Sequence, residues 1–276
     1  MSMKAGIIGG TGRMGRLFVP VFERAGYDVL VSGRTTALTN ADLARECDIV
    51  IVSVPIRDTV RVIAEIAPLL ARNQLLCDFT SLKTGPVAAM LRSKANVAGL
   101  HPMFGPTVSS LAGQTIIVCP ARVEPHLLDR LLSVFRTEGA RCTIATPEDH
   151  DRMMAVVQGL THYVTLCMAE TIRRLGIDIE ETRQYTSPVY QIEMSLIGRL
   201  LSQDSDLYAD ILQLNPYVPA VLAACRSSAA DLAAIVGSQD PALFRAFFAE
   251  NSRNLGTACS DGQAMTDALI ECMVRR

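Results

Sequence analysis

The sequence predicts an α/β chain in two parts, a doubly wound parallel sheet followed by an all-α half. Three observations carry this. Short runs of Ile, Val and Leu alternate with helical stretches from Lys4 to Ala145, a glycine-rich turn joins the first strand to the first helix, and the alternation stops near residue 146. Near-continuous apolar runs mark parallel strands covered on both faces. Their alternation with helices is the rhythm of a doubly wound sheet.

In order, KAGIIGG reads as a buried strand and RMGRLFVPVFERAG as a helix closed by Gly26. DVLVS and CDIVIVSVP are the next strands, and RDTVRVIAEIAPLL is an amphipathic helix. QLLCDFT and NVAGL are strands around the helix GPVAAMLRSK, and QTIIVCP and RCTIA bracket the helix EPHLLDRLLSVFRTEG. TPEDHD then starts a helix, with Thr146 as N-cap, Pro147 in first position and acidic residues facing the dipole. TSPVYQIEMSLIGRLLSQD begins likewise, with Ser187 as cap and Pro188 first, and helical patterns fill 204–214, 217–237, 240–254 and 258–275. A domain boundary is therefore expected between residues 146 and 147.

Composition narrows the function classes. Hydrophobic residues make up 49% of 276 positions, and the mean hydropathy of +0.26 implies a large core, apolar surface shared between subunits, or both. A net charge of −2 offers no basic footprint for nucleic acid. No polybasic patch is seen, and no apolar run is read as reaching the roughly 18 residues of a membrane span. The eight cysteines never form CxxC and sit mostly in apolar runs, which reads as free thiols in a reducing compartment and no metal site. With no signal-peptide layout, a soluble cytoplasmic protein is expected.

GIIGGTGRMG places Gly10, Gly12 and Gly15 in G-x-G-x-x-G register, directly after a strand and opening a helix. This is the Rossmann dinucleotide turn: Gly10 for the tight bend, Gly12 for close approach of a pyrophosphate, Gly15 for helix–strand packing. Thr11, Arg13 and Met14 complete the loop, and the helix N-terminus offers free N–H groups to phosphate. The second strand ends in VLVSGRTT with no carboxylate for a ribose 2′-hydroxyl. Ser32, Arg34 and Thr35 suit a 2′-phosphate instead, which favours NADP over NAD. Ser53 and Pro55, where the third strand ends, are candidates to line the nicotinamide-ribose channel.

DFTSLKTGP and GLHPMFGP follow strands whose carboxyl ends share that edge, so Ser81, Lys83 and His101 are expected to converge. Histidine suits taking a proton from a hydroxyl as hydride leaves the carbon. Ser81 is a candidate to hold the imidazole tautomer, and Lys83 to bind a carboxylate or cap a helix. His126 reads as a surface residue, His150 as an interdomain hydrogen-bonding group, and His162 as a core histidine or substrate contact with Gln158 one turn before it. Arg199 lies in SLIGRLLSQ with no carboxylate one turn away, so an anionic substrate or a distant acid is expected to compensate it. Gln191, Ser195 and Arg199 form one polar stripe at i, i+4, i+8.

GGTGRMGRLF, IVIVSVPI, LCDFTSLKTGP, GLHPMFGP, EDHDRMM, SPVYQIEMSLIGRL and LYADI resemble, in order, the prephenate dehydrogenases. The closest likeness is to the dehydrogenase part of the fused chorismate mutase–prephenate dehydrogenases. The resemblance implies oxidative decarboxylation of a cyclohexadienyl ring, with hydride leaving C4 for the nicotinamide and CO₂ leaving C1. It implies that His101 acts on the C4 substituent with Ser81 as its partner, that Arg199 binds a substrate carboxylate, and that His162 lies in the same pocket. It further implies a homodimer formed by the helical domain. Thr161 and Gln191 stand where close relatives carry arginine, and Thr107 where relatives often carry aspartate. These departures leave prephenate and 4-amino-4-deoxyprephenate both open as substrate. Two other classes remain: a β-hydroxyacid dehydrogenase or imine reductase, which would want a lysine in 147–175 where none exists, and a non-catalytic nucleotide-sensing protein.

Overall fold

The computed structural model describes residues 2–275. Its sheet has seven strands: β1 (Lys4–Ile8), β2 (Asp28–Ser32), β3 (Ile49–Val52), β4 (Leu75–Asp78), β5 (Asn96–Pro102), β6 (Thr115–Arg122) and β7 (Arg141–Ile144). They lie in the order β2-β1-β3-β4-β5-β6-β7. Strands β1 to β5 are parallel, β6 runs antiparallel to β5, and β7 is parallel to β6. Helices α1 (Arg13–Arg24), α2 (Asn40–Glu46), α3 (Ile56–Ile66), α4 (Thr84–Met90) and α5 (Pro125–Thr137) make the crossovers. A Thr39–Asp42 capping box holds α2, a helix absent from the expected elements.

Burial on both faces explains the continuous apolar runs. Ile7, Ile51 and Cys77 point to a core with Phe18 and Phe22 of α1 and Leu131 and Phe135 of α5. Their chain neighbours Ile8, Val50, Val52 and Leu76 point the other way, to Leu43 of α2, Ile63 of α3 and Met90 of α4. Phe18 stacks on Phe79 with ring centroids 4.2 Å apart.

One expectation is corrected: β5 does not end at Leu100 but runs through His101 and Pro102, with His101 opposite Ile117 of β6. Clustered by contacts, the chain divides into two units. Residues up to Gln158 group with Asp206–Tyr217, so α6 (Pro147–Met154) and the later helix Ser205–Leu214 belong to the sheet unit. Asp210 holds that later helix there. It accepts from the Arg57 backbone N–H at 3.2 Å and from the Arg57 guanidinium at 3.0 and 2.5 Å.

The second unit comprises Gly159–Ser205 and the chain from Val218 on. It contains α7 (Thr161–Leu175), α8 (Ile179–Thr182) and α9 (Pro188–Leu201). With α10 assigned to Ser205–Leu214, it continues as α11 (Val218–Ser238), α12 (Pro241–Leu255) and α13 (Ala258–Val274). Thr146 and Ser187 cap α6 and α9 as expected, accepting from Asp149 and Tyr190 backbone N–H groups. α12 and α13 bury no residue, and Phe248 is 65% exposed. Contrary to the sequence reading, α11 is long and apolar enough to cross a membrane by length and composition. Its mean hydropathy is 1.4 over an 18-residue window, none of it buried within this chain. The cysteines are free, but only Cys47, Cys77 and Cys119 are buried, while Cys167, Cys259 and Cys272 are exposed.

The sheet's order reverses about β1 and β3, and Gly9 sits at that point. Its φ is +79°, and a Cβ there would lie 2.2 Å from the Ser53 carbonyl oxygen. Gly26, which ends the α1 turn, has φ +88° with open space around it. Gly9→Ala is expected to cost on the order of 3 kcal/mol by strain and overpacking. Gly26→Ala should cost only the left-handed backbone penalty of about 1 kcal/mol. Urea unfolding of both variants measures this, and equal losses would contradict the geometry.

Candidate active site

The crevice outside the carboxyl ends of β1 and β3 is where the strand order reverses, the place such sheets bind ligands. Gly12 is exposed at the N-cap of α1, with no side-chain cap and no acidic residue in the first turn, so the helix N-terminus is left to an anion. A Cβ on Gly15 would lie 2.6 Å from Gly10 Cα, so α1 and the turn close only with glycine there. Gly10 packs under Val31, and the left-handed bend belongs to Gly9 rather than to Gly10. Thr11 and Arg13 are exposed and Met14 is half-buried. The loop fits a dinucleotide pyrophosphate.

Beyond β2, Arg34 and Thr35 are exposed, whereas Ser32 is buried and its hydroxyl donates to Asn40 Oδ1 at 2.8 Å. Ser32 is therefore not free for a 2′-phosphate. Ser53 is half-buried, its N–H donating to Ile8 O at 2.8 Å, and Pro55 is exposed as the N-cap of α3.

His101 is 2% exposed at the carboxyl end of β5. Its Nδ1 pairs with His150 Nε2 at 2.8 Å, and His150 Nδ1 donates to Asp151 Oδ1 at 2.8 Å. The other ring nitrogen of His101, Nε2, lies 3.3 Å from Gln158 Nε2. Gln158 belongs to a π-helical stretch, Ala155–Leu160, of the kind that often marks functional sites. Asp151 also accepts the backbone N–H groups of Lys83 at 2.8 Å and Thr84 at 2.9 Å, which tie it to the start of α4.

These contacts set the electrostatics. Burial, then the neighbouring His150 and Lys83, push the His101 imidazole well below its ordinary value of 6.5. Burial also lowers His150, against the opposing hydrogen bond to Asp151. Burial works to raise the Asp151 carboxyl, but the hydrogen bonds from His150, Thr84 and Lys83 prevail and hold it below 3.8. Near neutral pH the site therefore presents two neutral imidazoles and one carboxylate.

Lys83 departs from its expected part. It is fully buried, its ammonium bonded to Asp78 and, at 2.7 Å, to the Leu100 carbonyl, so it is out of a substrate's reach. Nor does its side chain cap α4, although it occupies the N-cap position. Ser81 is half-buried, and the groups on the two His101 nitrogens are His150 and Gln158, not Ser81. His150 is a hydrogen-bonding group as expected: its bond to His101 crosses the expected 146/147 boundary, and both residues lie in the same contact unit. Thr107 is exposed in the loop after β5, and His126 lies on the surface beside Glu124.

In the helical unit, His162 is half-buried on α7, and burial lowers its pKa. Gln191, Ser195 and Arg199 form an exposed stripe on α9, as their spacing predicts. Because Arg199 is exposed, the expected cost of burying its charge does not arise. The Arg199 guanidinium has no partner among the described residues. Gly9, Asp78, Gln158 and the His150–Asp151 pair went unread as site residues. The HD dipeptide one turn into α6 was the available signal for the last.

Comparison with known proteins adds the relatives. The family model "Prephenate dehydrogenase, nucleotide-binding domain" matches residues 32–144, and "Prephenate dehydrogenase, dimerization domain" matches 146–250. A probable arogenate/prephenate dehydrogenase of Methanocaldococcus jannaschii is 33% identical over 96% of this chain and 64% of its own length. The T-protein of Haemophilus influenzae is 36% identical over 75% of this chain and 55% of its own length. The chain thus spans little more than half to under two thirds of those relatives. A 4-amino-4-deoxyprephenate dehydrogenase of Streptomyces pristinaespiralis is 26% identical over 91% of this chain and 90% of its own. The same fold is seen in the Aquifex aeolicus prephenate dehydrogenase solved with hydroxyphenyl propionate and NAD⁺, with TM-score 0.73, 20% identity and coverage of 92% and 98%. With both family models matched in sequence order, the chain belongs to the prephenate dehydrogenase family.

Proposed function

We propose that the chain is an NAD(P)-dependent dehydrogenase that oxidatively decarboxylates a prephenate-type cyclohexadienyl substrate, either prephenate or 4-amino-4-deoxyprephenate. The observation that carries this reading is the buried, neutral His101 at the same sheet edge as the uncapped N-terminus of α1. The nicotinamide cofactor, when bound, takes up the hydride from C4.

Gly12 and the first N–H groups of α1 hold the pyrophosphate, and Arg34 with Thr35 favours NADP. His101 Nε2 takes the proton of the C4 substituent as the hydride departs. After CO₂ leaves C1 and the ring becomes aromatic, His101 returns that proton to the phenolate oxygen when the C4 substituent is a hydroxyl. When it is an amine, decarboxylation turns the iminium directly into the arylamine and His101 passes its proton to solvent. Arg199, whose guanidinium has no partner among the described residues, is assigned to a substrate carboxylate, with His162 and Gln191 as further substrate contacts. Thr107 stays assigned to substrate binding in the loop after β5, and Ser81, expected as the partner of His101, is assigned instead to the substrate side of the loop after β4. The exposed apolar faces of α11 and α12, within a stretch matching a dimerization domain, support a homodimer.

Purified protein assayed with each substrate and each nucleotide is expected to generate reduced nicotinamide with at least one pair, and turnover of neither substrate would sink the reading. His101→Asn should lower kcat by about a hundredfold or more, the scale of general-base catalysis, with nucleotide binding kept. Unchanged turnover would remove the assignment. Arg34→Ala should weaken NADP⁺ and leave NAD⁺ unaffected.

Light scattering should report a dimer, and Phe248→Asp on α12 should shift it toward the 29.9 kDa monomer. A monomeric parent protein would contradict the dimer.

Acid should destabilise the fold through its histidines. Because His101 and His150 have folded pKa values below 6.5, the unfolded chain binds more protons once pH drops below that value. Stability is thus full above about pH 6.5 and falls below it, by at most about 1.4 kcal/mol per pH unit for each imidazole, until the pH reaches that imidazole's folded-state pKa. Urea unfolding at pH 7.5 and pH 5.5 measures this, and a rise in stability on acidification would contradict the sign.

A further inference from the structure

Two buried imidazoles in series raise the question of which nitrogen of His101 carries its proton. An ionised carboxylate only accepts hydrogen bonds. Asp151, held below its ordinary pKa, therefore receives the proton of His150 Nδ1 at 2.8 Å. A neutral imidazole has one donor and one acceptor, so His150 Nε2 is left with a lone pair. That lone pair meets His101 Nδ1 at 2.8 Å, which must then be the donor. The remaining nitrogen, His101 Nε2, keeps its lone pair. Its 3.3 Å neighbour is the Gln158 amide nitrogen, a donor, as that assignment requires.

We propose that His150 and Asp151 are positioning residues for His101, fixing the one tautomer that leaves His101 Nε2 free to accept the substrate's proton. The inference rests on the proposed function for its kinetic consequence, but the tautomer itself does not. The orientation is over-determined. Asp151 is 2% exposed and fixed by the Lys83 and Thr84 backbone N–H groups, so it cannot rotate away without unpairing the start of α4. The charged and titratable groups facing the two imidazoles are Asp151 on α6, Lys83 before α4 and Asp78 at the end of β4. Reversing the chain would need Asp151 protonated or His150 charged, and burial opposes the second.

The test compares His150→Gln with His150→Phe, alongside Asp151→Asn. A glutamine carbonyl can still accept from His101 Nδ1, whereas phenylalanine cannot. The Phe variant should lose about a hundredfold in kcat, with KM for substrate and nucleotide affinity near those of the parent. The Gln variant should lose less than about tenfold. Equal losses in the two, or losses carried by KM, would overturn the positioning role. ¹⁵N spectra of imidazole-labelled protein near neutral pH give an activity-independent readout. The parent should show His101 protonated at Nδ1 and bare at Nε2, and Asp151→Asn should lose that preference. A parent protonated at Nε2 overturns the inference even if the enzyme turns over. A parent that turns over neither substrate but shows the Nδ1–H form overturns the proposed function and leaves the tautomer assignment standing.

Discussion

The Asp151 carboxylate is the contact on which the site's geometry depends. It is buried, and it accepts two backbone N–H groups at the start of α4 and one imidazole N–H from His150. A buried charge is tolerable only when satisfied in this way, and bonds to an ionised acceptor are roughly twice as strong as neutral ones. Its placement at a helix N-terminus adds the favourable end of a dipole. One side chain thus docks α6 on the sheet unit and orients the histidine at the end of β5. The Asp151 carbonyl also takes a bond from Asn215 Nδ2 at 2.7 Å, which brings the segment after α10 to the same place.

A second buried pair supports His101 from below. Lys83 runs under β5, is neutralised by Asp78, and donates to the Leu100 carbonyl at 2.7 Å. Gly99 makes room for this: a Cβ there would lie 2.9 Å from Lys83 Cδ and 2.8 Å from Val87 Cγ2. The glycine and histidine of GLHP are therefore one device. The first lets the lysine stem pass, and the second is held by the carbonyl that the lysine reaches. Removing one partner of such a pair leaves an uncompensated charge, so both sides of the histidine are fixed by interactions costly to break.

Much of the fold was legible because its signals are local. Inward-facing residues on both sides of each parallel strand write continuous apolar runs, and Thr146 and Ser187 announce their helices within three residues. The G-x-G-x-x-G turn and the importance of His101 were equally open to reading. What escaped depends on partners far away in sequence. His101 and His150 are 49 residues apart, Lys83 and Asp151 are 68, and Arg57 and Asp210 are 153. Nothing local says that Lys83 turns inward to Asp78 rather than outward to a substrate, or that α10 returns to the sheet unit. Arg199 misled for a related reason. Apolar neighbours suggested burial, yet Leu196 and Leu201 beside it are themselves 50% and 59% exposed.

The central claim is that His101 faces its substrate as a neutral acceptor whose other nitrogen is committed to His150. A crystal structure of the chain with nucleotide and an unreactive cyclohexadienyl or phenolic analogue tests it most directly. The account predicts His101 Nε2 within hydrogen-bond reach of the C4 substituent, with Nδ1 still on His150 and Gln158 displaced from Nε2. An analogue bound with the imidazole flipped, or with its C4 substituent held by another group and His101 unmoved on Gln158, would contradict it.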